Sequence, residues 1–421
     1  MNDIGSRAPG PREPLRVLYV YHGTAGVAGA YLAGIAEALR AVESVDLTLA
    51  TNRYFTFRPP AGEKVLRVFF PLTENTDRNP YLRFLELSGL RLPIRYAELA
   101  LGYVRLVPYI RRERIDVVNL SVIDDELPTW LFALAVKALG KTLLVTAHDV
   151  VFEGPRSSSA RRRRVFELAD RLIVHFDHVR EELQRRMGVP CETICVHPFP
   201  WADVEPVLDA KKLREHRSAL GAKLQRYDRV FLLLGVLRKE KGIDTLLDAW
   251  EKAEFPAGTR CGLLIAGKPT PGFDRQRAKS LRNSVILDRY LTPEEFCAAL
   301  ASSHVVVLPY SVRWYAHSSV ALMAFLARKP VVASDIPLFR ALVDSTVGFL
   351  HEAGSVDGLT LALERTAALN DEELAAMGRA ARERLVTSWL GLRASLRSLY
   401  AALTDGPSPP DGYASSTSRA K

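Results

Sequence analysis

The sequence predicts an α/β protein built from two doubly wound parallel sheets that face a common cleft. The chain has 421 residues, which is too long for one ordinary domain. Short β-branched runs alternate with longer segments of helical periodicity, as in parallel sheets covered by helices on both faces. About ten strands would make a single sheet unusually wide, so two sheets are expected.

Five strands are predicted in the first half of the chain. Each is a short apolar run that ends in a polar or glycine-containing loop, as buried parallel strands do. Helices separate them, among them the segments 28–42 and 127–139. The predicted strands are LRVLYVYH (15–22), VDLTLAT (45–51), IDVVNLS (115–121), TLLVTAHD (142–149) and RLIVHFD (171–177).

Five further strands repeat this arrangement in the second half. They are VFLLLGV (230–236), CGLLIAG (261–267), SVILDR (284–289), HVVVLPY (304–310) and PVVASD (330–335). Between the two sets, at 197–225, proline and charged residues replace the apolar pattern, which predicts the boundary between the sheets. A helix over 373–387 leads into a last helix, which is a candidate to cross back to the first sheet.

The charge of the chain restricts its partners. A net charge of +9 and a pI near 9.4 favour nucleic acid, anionic lipid or a phosphorylated small molecule. Nucleic acid is disfavoured, because no zinc-finger spacing, RNP-like aromatic motif or basic helix-turn-helix signature accompanies the charge.

A cytoplasmic protein without a metal centre is expected. No apolar run is long enough to span a membrane, and the N-terminus lacks the apolar stretch of a secretory signal. The four cysteines, Cys191, Cys195, Cys261 and Cys297, lack the paired spacing of a metal site and fit a reducing compartment.

A basic loop follows the first strand of the second half. The strand ends at Gly235, the loop carries Arg238 and Lys241, and a helix begins after Gly242. Cations at the carboxyl end of a parallel strand can neutralise a pyrophosphate, each charged hydrogen bond contributing about 1.5–3 kcal/mol. A solvated loop that only precedes a helix remains the alternative.

A second candidate anion site follows the strand that ends at Pro309. His317, Ser318, Ser319 and Val320 lie where the next helix is predicted to begin. Free backbone amides at a helix N-terminus, helped by the helix dipole and by serine hydroxyls, bind phosphate well. Ser318 can also be a simple N-cap, and the two roles are compatible.

These motifs together resemble the C-terminal domain of GT-B-fold glycosyltransferases of family 4 type. The resemblance covers about residues 228–345 and rests on GVLRKEKG (235–242), LLIAGKP (263–269), VVVLPY (305–310) and SSVALMAFLARKPVVASD (318–335). It extends more weakly to TLLVTAHD and ELADRLIVH in the first half and to the closing helix. It implies that Arg238 and Lys241 hold the pyrophosphate of a nucleoside-diphosphate sugar, and that the 317–320 segment receives its phosphates and sugar.

The chain departs from the usual family pattern in one respect. The family usually has two glutamates separated by seven residues in the loop and helix that follow the proline-ending strand. The corresponding positions here are Tyr315 and Met323, so this chain resembles a divergent branch without the acidic pair. The ribose contact and the retaining stereochemistry typical of the family are therefore not implied.

His148 and Asp149 are the catalytic candidates. They end the predicted strand 142–149, where a cleft-facing loop begins. The resemblance implies that a histidine here contacts the donor sugar near the reacting bond. Physically, His148 or Asp149 can act as a base toward an acceptor hydroxyl or bind sugar hydroxyls. A capping aspartate beside a partly buried histidine is the structural alternative.

A glycine-containing loop follows the first strand. Gly23 and Gly26 can let an acceptor or donor approach the backbone, or can serve turn geometry alone. Nicotinamide binding is disfavoured, because the loop is not G-x-G-x-x-G and no acidic residue ends the strand 45–51. His197 is expected to have a structural role at the hinge.

The segment 90–114 mixes apolar and basic residues. It can attach to an anionic membrane surface as a peripheral amphipathic helix, or it can be an ordinary helix that packs on the core. The sequence leaves both open, with an ordinary surface helix preferred.

The resemblance and the strand pattern together imply five segments. They are a disordered N-terminus (1–13), an acceptor-side Rossmann-like domain (14–200), a nucleotide-sugar-binding Rossmann-like domain (201–385), a crossover helix (386–404) and a disordered tail (405–421). The expected activity is metal-independent transfer of a sugar from a nucleoside-diphosphate sugar, a co-substrate rather than a bound cofactor. A glycan, a lipid-linked molecule or a small molecule is the acceptor. A silent nucleotide-sugar-binding subunit and a nucleoside-diphosphate-sugar epimerase are the alternatives.

Overall fold

A computed structural model describes most of the chain. The described residues are 13–23, 28–55, 64–74, 79–81, 84–85, 88–121, 127–148, 159–200, 208–312 and 317–404. Of the residues singled out in the sequence, Gly26, Asp149 and Tyr315 lie outside this set.

The first half forms a seven-stranded parallel sheet with the order β3-β2-β1-β4-β5-β6-β7. The strand order reverses direction between β1 and β4. The strands are β1 (Leu15–Tyr21), β2 (Val45–Asn52), β3 (Lys64–Phe69), β4 (Val117–Ser121), β5 (Thr142–Thr146), β6 (Arg171–Val174) and β7 (Ile194–Val196).

The second half forms a six-stranded parallel sheet with the order β10-β9-β8-β11-β12-β13. Here the strand order reverses between β8 and β11. The strands are β8 (Arg229–Leu234), β9 (Cys261–Ala266), β10 (Ser284–Leu287), β11 (Val305–Leu308), β12 (Val331–Ser334) and β13 (Gly348–His351).

Helices follow nearly every strand, so each sheet is doubly wound and the predicted fold class is confirmed. The helices are α1 (Ala28–Arg40), α2 (Arg91–Arg112), α3 (Leu127–Ala138), α4 (Ser159–Leu168), α5 (Asp177–Met187), α6 (Ala210–Leu224), α7 (Ile243–Lys252), α8 (Arg275–Ser280), α9 (Pro293–Ala301), α10 (Ser319–Leu326), α11 (Pro337–Arg340), α12 (Val356–Ala367) and α13 (Asp371–Thr404). In the part of the chain that the structure describes, no helix is both long and apolar enough to cross a bilayer.

The segment between the two sheets is more regular than the sequence predicts. It contains α6, which begins at the N-cap Asp209 and packs against α9. The backbone N–H of Asp209 donates to the Glu294 carboxylate at 3.0 Å, so α6 belongs to the layers of the second sheet.

The last helix is one continuous element of 34 residues, whereas the sequence predicts two helices. Thr387 and Ser388 have modest helix propensity, but this does not interrupt a helix that is packed along its length. α13 contacts α10 beside the second sheet and α1 beside the first, where Tyr400 is fully buried. The predicted division at 386 lies inside this helix, which joins the two halves.

Candidate active site at the meeting of the two halves

The candidate site residues lie where each parallel sheet reverses its strand order. In such sheets the loops that leave adjacent strands in opposite directions open a crevice at the carboxyl ends. The basic loop follows β8, and the 317–320 segment follows β11, the neighbouring strand. In the first sheet, His22 follows β1 and Ser121 ends β4, with His148 following β5.

The basic loop needs glycine at both of its ends. Gly235 has a φ of +99°, and a Cβ there would lie 2.8 Å from Lys241 Nζ. Gly242 has a φ of +66°, and a Cβ there would lie 1.7 Å from the Pro309 carbonyl oxygen. The two glycines let the loop turn sharply and press against the end of β11.

Lys241 is a buried cation that has no carboxylate among its hydrogen-bond partners in the described part of the chain. Its side chain is 5% exposed, its Nζ donates to the Leu234 carbonyl at 3.1 Å, and it lies 5.5 Å from the Tyr310 ring centre. Burial, and secondarily the positive charge of Arg238, lower the pKa of the Lys241 ammonium to about 7. Burying a lysine this way is unfavourable for the fold alone, which is typical of a group kept for a ligand.

Arg238 precedes the short 3-10 turn Lys239–Lys241 and is exposed. Its charge acts on both Lys241 and Tyr310, because it lowers the pKa of the lysine and opposes the rise in the pKa of the tyrosine. The two predicted cations therefore lie close together at the carboxyl end of β8, one buried and one exposed.

The predicted helix start is confirmed, because α10 begins at Ser319. Ser318 is its N-cap: Ser318 Oγ accepts from the Ala321 N–H at 3.2 Å and lies 3.2 Å from the Tyr310 hydroxyl. The N-cap role is thus present. The backbone N–H groups of Ser319 and Val320 lie in the first turn of α10. N–H groups at this position of a helix have no intrahelical acceptor and can bind an anion.

Met323 is the residue that the sequence resemblance places at the position of the second family glutamate. It is an apolar residue of α10 and is 8% exposed. A methionine has no oxygen to accept a hydrogen bond from a ribose hydroxyl, so this contact is missing at that position.

His148 lies at the end of β5 and is held by one hydrogen bond. Ser121 Oγ is 2.9 Å from its Nε2, while its Nδ1 is buried and has no hydrogen-bond partner among the described residues. Burial, followed by the nearby His317 and His175, lowers the pKa of His148 well below its usual value. A neutral ring with one buried, unsatisfied nitrogen can bind a hydroxyl group of a ligand.

A chain of hydrogen bonds with a fixed direction runs behind His148. His175 Nδ1 is 3.1 Å from the His197 carbonyl, which can only accept, so Nδ1 carries the proton. Burial lowers the pKa of His175 to about 3, so the ring is neutral and its Nε2 accepts from the Tyr31 hydroxyl at 3.0 Å. The Tyr31 oxygen in turn accepts from Tyr19 at 3.1 Å.

These hydrogen bonds fix the side chains against which His148 packs. The Tyr31 ring meets the His148 ring edge to face, with 4.6 Å between their centres. His197 also binds α13, because its Nδ1 is 2.6 Å from Ser395 Oγ. The expected structural role of His197 at the hinge is consistent with this bond.

The two halves meet through His317. Its ring centre is 5.4 Å from that of His148 and 5.2 Å from that of Phe199. The structure therefore brings His148 together with the segment that begins α10, and Tyr310 joins that segment to Lys241.

The remaining predicted positions have simpler outcomes. Gly23 is half-buried directly after β1, and Gly26 and Asp149 lie outside the described residues. His22 is fully buried against Phe69 and Phe70, so it is a core residue at the edge of the crevice.

Tyr31, His175 and Phe199 are site residues that the sequence did not single out. His175 carried a signal, since RLIVHFD ends a strand with a histidine as TLLVTAHD does. Tyr31 lies in an ordinary helix pattern, and its position becomes visible only when the helix is packed on the sheet.

Two family models match the chain, one in each half. A model described as "Glycosyltransferase Family 4" matches residues 28–199. A model described as "Glycosyl transferases group 1" matches residues 228–368. The D-rhamnosyltransferase WbpZ of Pseudomonas aeruginosa is 29% identical over 136 residues. That match spans 32% of this chain and 32% of the relative, about a third of its length.

Solved structures of low sequence identity share the architecture. Sucrose-phosphate synthase from Thermosynechococcus elongatus has a TM-score of 0.63 at 17% identity, over 93% of this chain and all of that one. Anabaena Alr3699/HepE in complex with UDP-glucose has a TM-score of 0.59 at 15% identity, over 93% of this chain and all of that one. Both halves thus match the same class of enzyme, and the chain belongs to the GT-B-fold glycosyltransferases of family 4 type.

Proposed function

We propose that the chain transfers a sugar from a nucleoside-diphosphate sugar to an acceptor hydroxyl at the meeting of its two halves. The observation that carries this proposal is Lys241, a buried ammonium at the carboxyl end of β8 with a lowered pKa and, among the described residues, no carboxylate bonded to it. A pyrophosphate supplies negative charge for this ammonium and for the neighbouring Arg238 guanidinium. UDP-glucose bound to Anabaena Alr3699/HepE is a donor of this class.

The departing nucleoside diphosphate defines the roles of the donor-side residues. Lys241 and Arg238 neutralise the charge that develops on the leaving phosphate, and the Ser319 and Val320 amides bind it at the α10 N-terminus. Ser318 fixes the start of α10 by capping it. His317, the residue before it, contacts His148 of the other half. Because these groups are held in place before the reaction, little reorganisation is needed at the transition state.

His148 is proposed to bind the sugar rather than to remove a proton. Its pKa is lowered well below the usual histidine value, and a weakly basic ring is a poor general base near neutral pH. Its unsatisfied Nδ1 is suited to a sugar hydroxyl. Asp149, the neighbouring candidate, and Gly23 and Gly26, the candidate loop positions, stay predictions.

Two other functions remain distinguishable by experiment. A nucleoside-diphosphate-sugar epimerase needs several acids and bases around the sugar, and both family models describe transferases instead. A silent binding subunit is motivated by the absence of the glutamate pair. An epimerase changes the sugar without an acceptor, and a silent subunit binds the donor without turnover.

The test is a melting-temperature panel with UDP, GDP, ADP and dTDP, followed by turnover assays with the matching sugars. Specific binding to the native state raises the melting temperature, so one diphosphate is expected to stabilise the chain clearly. Release of that diphosphate from its sugar in the presence of acceptor is expected next. Absence of any diphosphate-dependent shift would contradict the proposal.

Ser121→Ala is expected to lower turnover about tenfold, the effect of losing one positioning hydrogen bond to His148. Affinity for the free nucleoside diphosphate should change little, since Ser121 lies on the opposite half from Lys241. The measurement is kcat and KM for the donor, with Ser121→Thr as the variant that retains a hydroxyl. An equal loss in Ala and Thr variants would show that packing, not the hydrogen bond, matters there.

Donor affinity is expected to fall as pH rises above about 7, where free Lys241 loses its proton. Binding then requires proton uptake, so Kd should rise up to about tenfold per pH unit. A nucleoside-diphosphate sugar is the right probe, because its esterified phosphates do not titrate in this range. Lys239→Met should keep this pH profile, and a flat profile in the parent chain would contradict it.

The acceptor belongs to one of three classes: a glycan, a lipid-linked molecule or a small molecule. The first sheet carries the acceptor side in this proposal, as the donor loops belong to the second. Peripheral contact with an anionic membrane surface is part of the same proposal.

A further inference from the structure

Helix α2 packs one face on the first sheet. Leu99, Tyr103, Leu106 and Ile110 are buried, and the helix contacts β3 and α3. The Tyr103 ring is 5.3 Å from that of Phe69, in β3. The core-packing role that the sequence allowed for segment 90–114 is therefore fulfilled by this face alone.

A second, exposed face of α2 is also apolar. Leu92, Leu101 and Val104 are 68%, 49% and 65% exposed. Pro93, Ala97, Leu101, Val104 and Pro108 are all exposed and follow each other at helical spacing, so they form one stripe on the outer side. An ordinary surface helix places polar residues there.

The loop that precedes α2 extends this surface. The buried carboxylate of Glu98 accepts from the Leu72 N–H at 2.7 Å and the Thr73 N–H at 3.2 Å, which fixes the loop against the helix. Half of the large exposed apolar residues among those described lie between 72 and 104. We call this set the α2 patch; it comprises Leu72, Tyr81, Phe84, Leu90, Leu92, Tyr96, Leu101 and Val104.

The exposed charged residues of α2 itself are all basic, although Arg112 pairs with Glu113 just beyond the helix. α2 contains five arginines, and its one acidic residue is the buried Glu98. Arg105, Arg111 and Arg112, near the C-terminal end, are exposed. Exposed aliphatic and tyrosine side chains flanked by arginine match the interface of an anionic bilayer, where apolar groups enter the acyl region and cations meet the phosphates.

The patch adjoins the crevice of the first sheet. The Arg95 guanidinium lies 3.6 Å from the Phe70 ring centre, and the Phe70 ring lies 5.5 Å from that of His22, which follows β1. Arg95, in the N-terminal part of α2, is thus linked to the carboxyl edge of the sheet through the side chains of Phe70 and His22. A surface bound there is next to the acceptor side of the proposed site.

We propose that the α2 patch docks on an anionic lipid bilayer and that the enzyme takes an acceptor held at that surface. The acceptor part rests on the proposed sugar transfer, whereas the docking part does not. The outer side of one helix is convex, and lipids can rearrange around it without a shaped partner. A lipid-linked acceptor is thereby favoured over a free glycan or a small molecule.

Vesicle flotation of the full chain tests the docking. Vesicles of phosphatidylglycerol and phosphatidylcholine are compared with vesicles of phosphatidylcholine alone. Leu101→Glu/Val104→Glu should weaken binding to the anionic vesicles about tenfold or more, by removing apolar insertion and adding like charge. Val386→Glu/Leu390→Glu is the matched control, because this exposed pair lies on α13 with 46% and 57% exposure and should leave binding unchanged.

A second variant, Arg105→Gln/Arg111→Gln, tests the charge without altering the apolar stripe. It should weaken binding to anionic vesicles several-fold and abolish the preference for them over neutral vesicles. The diphosphate-induced melting shift should be the same in all variants as in the parent chain, which verifies folding and isolates the docking from the donor site.

Three results would overturn the inference: no flotation of the parent chain, equal loss in the α2 and α13 variants, or concentration-dependent self-association through the patch without vesicle binding. A chain that binds a diphosphate and turns over its sugar but never floats would retain the proposed function and lose this inference. Flotation without any diphosphate binding would support the docking but contradict the proposed sugar transfer. The surface-bound acceptor, which depends on that transfer, would then be contradicted too.

Discussion

Lys241→Met is expected to lower transfer by about a hundredfold or more, as the loss of a preorganised charge at a leaving group does. Donor binding should fall with it, because the pyrophosphate loses its buried cation. The adjacent Lys239, exposed in the same short turn, provides the matched control Lys239→Met, for which little change is expected. The measurements are Kd for the diphosphate and kcat/KM for its sugar.

The same substitution should not destabilise the ligand-free protein. Burial lowers the pKa of Lys241 in the native state to about 7, below the value near 10.4 that a lysine has in an unfolded chain. Between these two pH values the unfolded state therefore binds more protons than the native state. The free energy of unfolding of the parent chain is lowered at pH 7 by this difference, and it rises again toward pH 10.

Methionine removes this penalty, so its stabilising effect should be largest at pH 7 and below and should shrink as pH rises. Melting temperatures of the two chains across this range check the sign. A destabilised methionine variant at neutral pH would show that Lys241 holds the fold together, and its assignment as a ligand group would then lose its main support.

Gly242→Ala is expected to be among the most damaging single changes in the second half. A Cβ at this position would lie 1.7 Å from the Pro309 carbonyl oxygen, and the φ of +66° is already unfavourable for alanine. The loop and the end of β11 must separate, which moves Lys241 and the α10 N-terminus apart. Both stability and donor binding should be lost.

Gly258→Ala is the control for Gly242→Ala, because it introduces backbone strain without a steric clash. Gly258 has a φ of +88° in the same half, but nothing lies within 4 Å of its added Cβ. It should lower the melting temperature by about 2–4 °C, the effect of about 1 kcal/mol in a domain of this size. Gly242→Ala should lower it at least twice as much, and equal effects would contradict the tight approach.

The strands that the sequence missed are β3, β7 and β13, and all three lie at sheet edges. Central parallel strands are buried on both faces and read as continuous apolar runs. β3 has the sequence KVLRVF, in which charged residues interrupt the apolar ones, and β7 is only three residues long. An edge strand faces solvent along one side, so its sequence carries a weaker signal.

The donor half of the site was more predictable than the other half. Arg238 and Lys241 lie in the loop that follows β8, and α10 is the first described helix after β11, so their local sequence indicates their position. The contact of His148 with His317 joins residues from different sheets, and no local pattern encodes it. The exposed face of α2 was ambiguous for a related reason, since the sequence does not say which apolar face packs on the core.

The proposed function requires that Lys241, Arg238 and the first turn of α10 together hold the pyrophosphate of the donor. A crystal structure with the stabilising nucleoside diphosphate bound tests it most directly. We expect a phosphate oxygen within hydrogen-bond distance of Lys241 Nζ and of the Ser319 or Val320 amide, with Lys241 released from the Leu234 carbonyl. A diphosphate bound elsewhere, with Lys241 still bonded to that carbonyl, would contradict it.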